Sequence, residues 1–325
     1  MYKGNNAHFS FLDCRTYRKL CPKNNMKFYQ VLGVGMYVGL FTSCASFNDS
    51  VSLISESSVP VQVSKQFSFT EGPSADSKGN VYFTDQPNNA IYKWTWKDNL
   101  VQLFSKNTGR ANGTFFDKEG NLITCSDENG ELWKFNVHDG SHVVVMKNIE
   151  GKRPNGPNDL WIDSNNGIYF TDPLYERNYW KDFKQEIPTR HLYYRNTNGN
   201  ITTFDSFVQP NGIVGSNKQG KLYVSDLYAE KTFVYDIVGE GKLSNKRVFC
   251  EMGSDGMTLD EKGNLYLTNK GVTVFNPEGK KILHIPINED WTGNVTFAGR
   301  DFKTLFITAS KSIYTLKMNV AGEKR

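Results

Sequence analysis

One pattern returns six times along this 325-residue chain: a turn residue, a short apolar strand, then in most copies Thr or Ser with an acid or amide. Gly79 to Asp85 reads GNVYFTD, Gly120 to Asp127 GNLITCSD, and Gly167 to Asp172 GIYFTD. Gly220 to Asp226 reads GKLYVSD, Gly263 to Asn269 GNLYLTN, and Lys303 to Ala309 KTLFITA. The starts lie 41, 47, 53, 43 and 40 residues apart. Repeats of about 40 to 50 residues built from short strands are the spacing of propeller blades. A second apolar strand follows each copy, beginning near Ile91, Leu132, Leu192, Thr232, Val272 and Ile313. Another precedes it, ending in a turn such as the FDKEG after Phe115 or the DEKG after Leu259. These are hairpins. The expected fold is all-β, a six-bladed β-propeller over 59–319 with four antiparallel strands per blade. Val61 to Phe67 is free to complete the last blade and close the ring, which removes exposed sheet edges. A β-sandwich predicts no such even phasing.

In a propeller the first strand of each blade lies nearest the axis, so residues at its start converge on one end of the central channel. Counting back eight or nine residues from each marker reaches Glu71, Asn112, Asn158, Asn211, Asp255 and Asn294. One N-G or D-G pair means only a tight turn. Six oxygen-bearing side chains in phase mean more. An all-oxygen ring without sulfur or imidazole suits a hard cation: calcium first, with zinc, magnesium and manganese as alternative divalent ions. The two carboxylates, Glu71 and Asp255, balance a divalent charge. Asp85, Asp172, Asp226 and Asn269 return to the same end, either orienting the ligands by hydrogen bonding or capping turns.

Composition removes several function classes. A formal charge of +4 without a long Lys/Arg block gives no reason to expect nucleic acid as a partner. No C-x-x-C or Cys/His cluster supports zinc or redox chemistry, and Cys125 and Cys250 read as isolated strand thiols. No G-x-S-x-G elbow supports a serine nucleophile. His138, His142, His191 and His284 all fall on outer strands or loops by the repeat phase, so no histidine base marks the axis.

From about Val59 to Lys317 the chain resembles the gluconolactonase/regucalcin (senescence marker protein) family of six-bladed propeller lactonases. Glu71-Gly72-Pro73 matches the family's E-G-P, Pro157-Asn158-Asp159 its P-N-D, Pro210-Asn211-Gly212 its P-N-G and Asp255-Gly256 its D-G element. The resemblance implies metal-dependent hydrolysis of a sugar lactone, with Glu71, Asn158, Asn211 and Asp255 holding the metal. Arg110 and Asn112 fall where family members hold substrate hydroxyls, and Asn294 joins them as a substrate-binding residue. The long third interval carries an insertion after Thr171 whose Tyr175, Tyr179 and Trp180 are placed to roof the pocket, Tyr175 against substrate. Asp255 is the expected general base and Asp226 the reserve, since a carboxylate beside the metal takes a proton from water at short range. The rival readings are a hydrolase for another ester or phosphotriester, and a non-catalytic propeller that binds a protein or glycan, because fold alone does not decide function.

The amino terminus carries a targeting signal. Met26-Lys27 precedes an uncharged apolar run from Phe28 to Leu40 and then Phe41-Thr42-Ser43-Cys44. That order resembles a bacterial lipoprotein signal over 26–43, with Cys44 the lipidated residue and the run too short for a comfortable transmembrane helix. Residues 1–25 resemble no export segment and read as an extension before the true start. Residues 44–58 are a linker and 320–325 a tail. The expected location is the periplasm or cell envelope of a bacterium, with membrane contact only through Cys44.

Overall fold

The computed structural model describes residues 53–324. Residues 1–25, the signal over 26–43 and Cys44 lie outside the described residues. The described residues form six separate four-stranded antiparallel sheets, as the repeats require. The inner strands are Thr70–Ala75, Ala111–Phe116, Leu160–Ile162, Pro210–Ser216, Met257–Leu259 and Thr292–Ala298. Each lies beside the next and the sixth lies beside the first, which closes the ring. Blade six takes three strands from the C-terminal end and its fourth, Val61–Ser64, from the N-terminal end.

The signature strand is the second of each blade, and in blades one to three it is buried along its whole length rather than on alternate residues, as in Val81–Asp85 and Ile168–Asp172. A sheet covered on both faces by neighbouring blades has no solvent side, so Phe83, Phe170, Tyr169 and Phe306 pack into the interblade layers. The Thr or Ser and the acid that end the signature do separate work. The Thr bolts its blade to the next: Thr84 Oγ1 donates to the Asn112 carbonyl at 3.0 Å, Thr171 Oγ1 to that of Asn211 at 2.7 Å, and Thr268 Oγ1 to that of Gly293 at 2.7 Å. The acid caps the segment entering its own inner strand. Asp85 accepts from the amides of Ser68 and Phe69, Asp172 from Asn155 and Gly156, Asp226 from Val208 and Gln209. Of the two expectations for these acids, turn capping is what their hydrogen bonds serve.

The packed unit runs past both expected bounds. Ile54 bridges Met318, Gly322 bridges Asp260, and Leu53 and Val320 are buried with Phe297 and Leu316. The apolar residues of the linker and tail cover one another over blades five and six. Cys125 and Cys250 are both free and buried.

Candidate functional site

The register of the inner strands sorts the axial residues into two tiers. In blade three the Asn158 amide donates to the Thr171 carbonyl and the Thr171 amide to Asp159. In blade five Asp255 and Gly256 make the same pair of bonds with Thr268. In blade one Glu71 faces Thr84. The bolts to the next blade place Asn112, Asn211 and Gly293 at the matching point. The upper tier is therefore Glu71, Asn112, Asn158, Asn211, Asp255 and Gly293, and Asn294 belongs one residue further along the channel. The count from the marker missed this because it runs through a hairpin of variable length. Val81 faces Ala75 across five residues, whereas its counterpart Leu305 faces Phe297 across seven.

The lower tier holds Asp159 and Asn294 from opposite blades and glycine from the other four: Gly72, Gly113, Gly212 and Gly256. These glycines make the room. A Cβ at Gly256 would lie 2.0 Å from Asn294 Cγ, and one at Gly113 2.4 Å from Asp159 Oδ1. Gly293 does the same above, since a Cβ there would meet Glu71 Oε1 at 2.9 Å. Without a side chain in blade six, nothing separates Glu71 from Asp255.

Seven polar side chains thus crowd the axis, each between 2% and 8% exposed. Asn294 Nδ2 donates to Glu71 Oε2 and to Asp159 Oδ2, both at 3.2 Å. Asn211 Nδ2 donates to Asp255 Oδ1 at 2.7 Å and to the Tyr175 hydroxyl at 2.9 Å, and Trp291 Nε1 donates to Asp255 Oδ2. Burial, then the negative charge of Asp255, pushes Glu71 well above the usual carboxylate range. Burial likewise pushes Asp159 up to about 7 and Asp255 to about 6. Two amide oxygens, Asn112 Oδ1 and Asn211 Oδ1, are buried with no donor. Clustered carboxylates that form no ion pair among the described residues, and amide oxygens without a donor, lack the same thing, a positive charge among them. The residues present fit a hard divalent cation. Among the described residues no three His, Cys, Asp or Glu side chains converge as ligands on their own, so such an ion draws on amides as well.

The blade-three insertion lies over this end. Tyr175 bonds Asn211 directly, and burial together with the Asp255 charge keeps its hydroxyl protonated. Arg177 reaches from the same loop toward Asp127, and its charge also acts on Asp255. A groove of about 300 Å³ opens beside it, lined by Gln86, Arg110, Glu176, Arg177 and Tyr179 among others. Arg110 lies over the Tyr179 ring at 4.1 Å, donates to the Pro87 carbonyl and stands 3.8 Å from Glu128, at the groove rather than on the axis. Trp180 packs against Gly156 and Phe183 and donates to the Asp127 carbonyl. Asp226 spends its oxygens on backbone amides of its own blade, including Ala229. Asp159 and Gly293 were not singled out from sequence, although Asp159 stands in the P-N-D motif beside Asn158.

Residues 69–311 match the family described as SMP-30/Gluconolactonase/LRE-like region. The chain belongs to this family. Among its relatives, a gluconolactonase from Zymomonas mobilis is 27% identical over 331 aligned positions, covering 92% of this chain and 90% of that one. Diisopropyl-fluorophosphatase from Loligo vulgaris is 26% identical over 298 positions, covering 81% and 93%. The solved structure of a gluconolactonase from Xanthomonas campestris superposes with a TM-score of 0.76 at 23% identity, over 82% of this chain and 91% of that one, and so shares the fold. Four residues of the family motifs, Glu71, Asn158, Asn211 and Asp255, all stand in the upper tier of the axis.

Proposed function

We propose that this chain hydrolyses the ester bond of a sugar lactone at the axial site, with a calcium-type ion held by Glu71, Asn158, Asn211 and Asp255. The observation that carries the reading is the upper tier itself: two adjacent carboxylates and a donorless Asn211 oxygen, beneath a loop that supplies Tyr175 and Arg177. A bound divalent cation supplies Lewis-acid polarisation of the substrate carbonyl. Asp255 is the base. Its two oxygens are oriented by Asn211 and Trp291, which fixes the carboxylate at the proposed metal site. It takes a proton from water as the water oxygen attacks the carbonyl carbon. The ring C–O bond then breaks as Asp255 returns that proton to the leaving oxygen, giving the open hydroxy acid. Arg110, Asn112, Tyr175 and Asn294 line the way in or the pocket floor and are the substrate-binding candidates. The lipid anchor read at Cys44 would place the reaction in the periplasm.

The similarity to diisopropyl-fluorophosphatase favours a second reading, in which a phosphorus ester takes the place of the lactone. The test is turnover of aldonolactones and of a fluorophosphate, with calcium and with EDTA, for wild type, Asp255→Asn and Glu71→Gln. Lactone turnover that is lost with EDTA and in both variants supports the first reading. Activity that survives EDTA, or persists in both variants, sinks the mechanism.

A further inference from the structure

Asp127 departs from the pattern of its repeat. In blade one the capping acid Asp85 faces Thr70, but in blade two the matching position, opposite Ala111, is Ser126. Asp127 falls one residue later, in the turn that follows the strand, and its side chain bonds groups of other blades. It is 2% exposed, and its carboxylate bonds side chains of other blades where the other capping acids bond backbone amides. Its carboxylate accepts from Arg177 Nε at 3.0 Å, from the Tyr179 hydroxyl, and from Gln86 Nε2 of blade one at 2.9 Å. Its carbonyl accepts from Trp180 Nε1 at 3.0 Å and from Arg153 Nη2 at 3.3 Å. Three groups of the insertion, at 177, 179 and 180, therefore converge on one residue of the neighbouring blade. Arg153 adds to the grip by lying over the Trp180 and Phe183 rings, each at 4.7 Å. On the far side of these anchors the loop presents Tyr175 to Asn211 and the charge of Arg177 to Asp255.

We propose that Asp127 is a positioning residue, clasping the blade-three insertion over the axial carboxylates so that Tyr175 and Arg177 meet a bound lactone. The role in turnover rests on the lactonase reading; the clasp itself does not. A buried carboxylate that gathers a guanidinium, a phenol and an amide is costly to remove, because each donor is left facing a neutral neighbour. The loop is then free to leave the axis while the six inner strands, bolted by Thr84, Thr171 and Thr268, stay in place.

The experiment compares the full-length wild type with Asp127→Asn and Tyr179→Phe. Lys181 and Lys184 are exposed on the loop. Trypsin cleavage after them is expected to quicken about tenfold in Asp127→Asn, the size of one charge-assisted hydrogen bond, and by less in Tyr179→Phe. Calcium affinity by titration calorimetry is expected to stay within about twofold, since no proposed ligand is touched. With an aldonolactone KM is expected to rise about tenfold while kcat changes little, the signature of lost substrate positioning. Unchanged cleavage overturns the clasp. Faster cleavage with unchanged KM and kcat overturns the positioning role. If no lactone is turned over by wild type, the lactonase reading fails, and the clasp stands or falls on cleavage alone.

Discussion

Asn294 of blade six reaches across the propeller axis to Asp159 of blade three, with 3.2 Å between amide nitrogen and carboxylate oxygen. The same nitrogen serves Glu71 of the upper tier. One amide thus joins both tiers, its side chain donating to two desolvated carboxylates. Asn294→Ala leaves both short of it and is expected to destabilise the fold by about 1–3 kcal/mol, the cost of unsatisfied buried acceptors. Urea unfolding measures this; a loss below about 0.5 kcal/mol, ordinary for surface substitutions, would remove Asn294 from that role.

The axial acids also set a pH dependence. Asp159 is pushed from its ordinary 3.8 to about 7 by burial, so the folded state favours its neutral form. A carboxyl raised in this way contributes stability that is fully present below its unfolded pKa and is lost as pH rises through about 7. Asp172, also raised to about 7, adds to the slope. EDTA-treated protein is therefore expected to melt at a higher temperature at pH 5 than at pH 8. Asp159→Asn should flatten the slope, and saturating calcium should flatten it further at the axis while leaving the share of Asp172. A metal-free melting curve that rises from pH 5 to 8 contradicts this.

Gly293 keeps Glu71 within reach of Asp255. Its Ala variant would bring Cβ within 2.9 Å of Glu71 Oε1 and 3.0 Å of the Thr70 carbonyl. The carboxylate is the part that can yield. Calcium affinity is expected to fall about tenfold, corresponding to about 1.4 kcal/mol, with the fold retained. Calorimetric titration of Gly293→Ala that matches wild type would show that Glu71 can bind from elsewhere.

Asp226 and Asp255 separate structure from chemistry. Asp226→Asn weakens bonds to the amides of Val208, Gln209 and Ala229 and is expected to cost about 1–3 kcal/mol of stability with turnover largely kept. Asp255→Asn is expected to abolish turnover. Loss of kcat in a folded Asp226→Asn would restore it as the base.

The repeat spacing and strand patterning were enough to read six blades, their four-strand make-up and the closure by the segment from Val61 to Phe67, of which Val61–Ser64 forms the strand, because a period of this kind has few other solutions. They also reached five members of the upper tier, whose positions lie a near-constant distance from the signature. Asn294, Gly293, Asp159 and Asp127 could be placed only by tertiary structure. Each turns on a shift of one residue, through a longer hairpin in blade six, an acid following Asn158, or a Ser in the capping place of blade two. In a strand such a shift changes the level or face a side chain occupies. The linear spacing does not record it, and the hydrogen bonds between blades decide it.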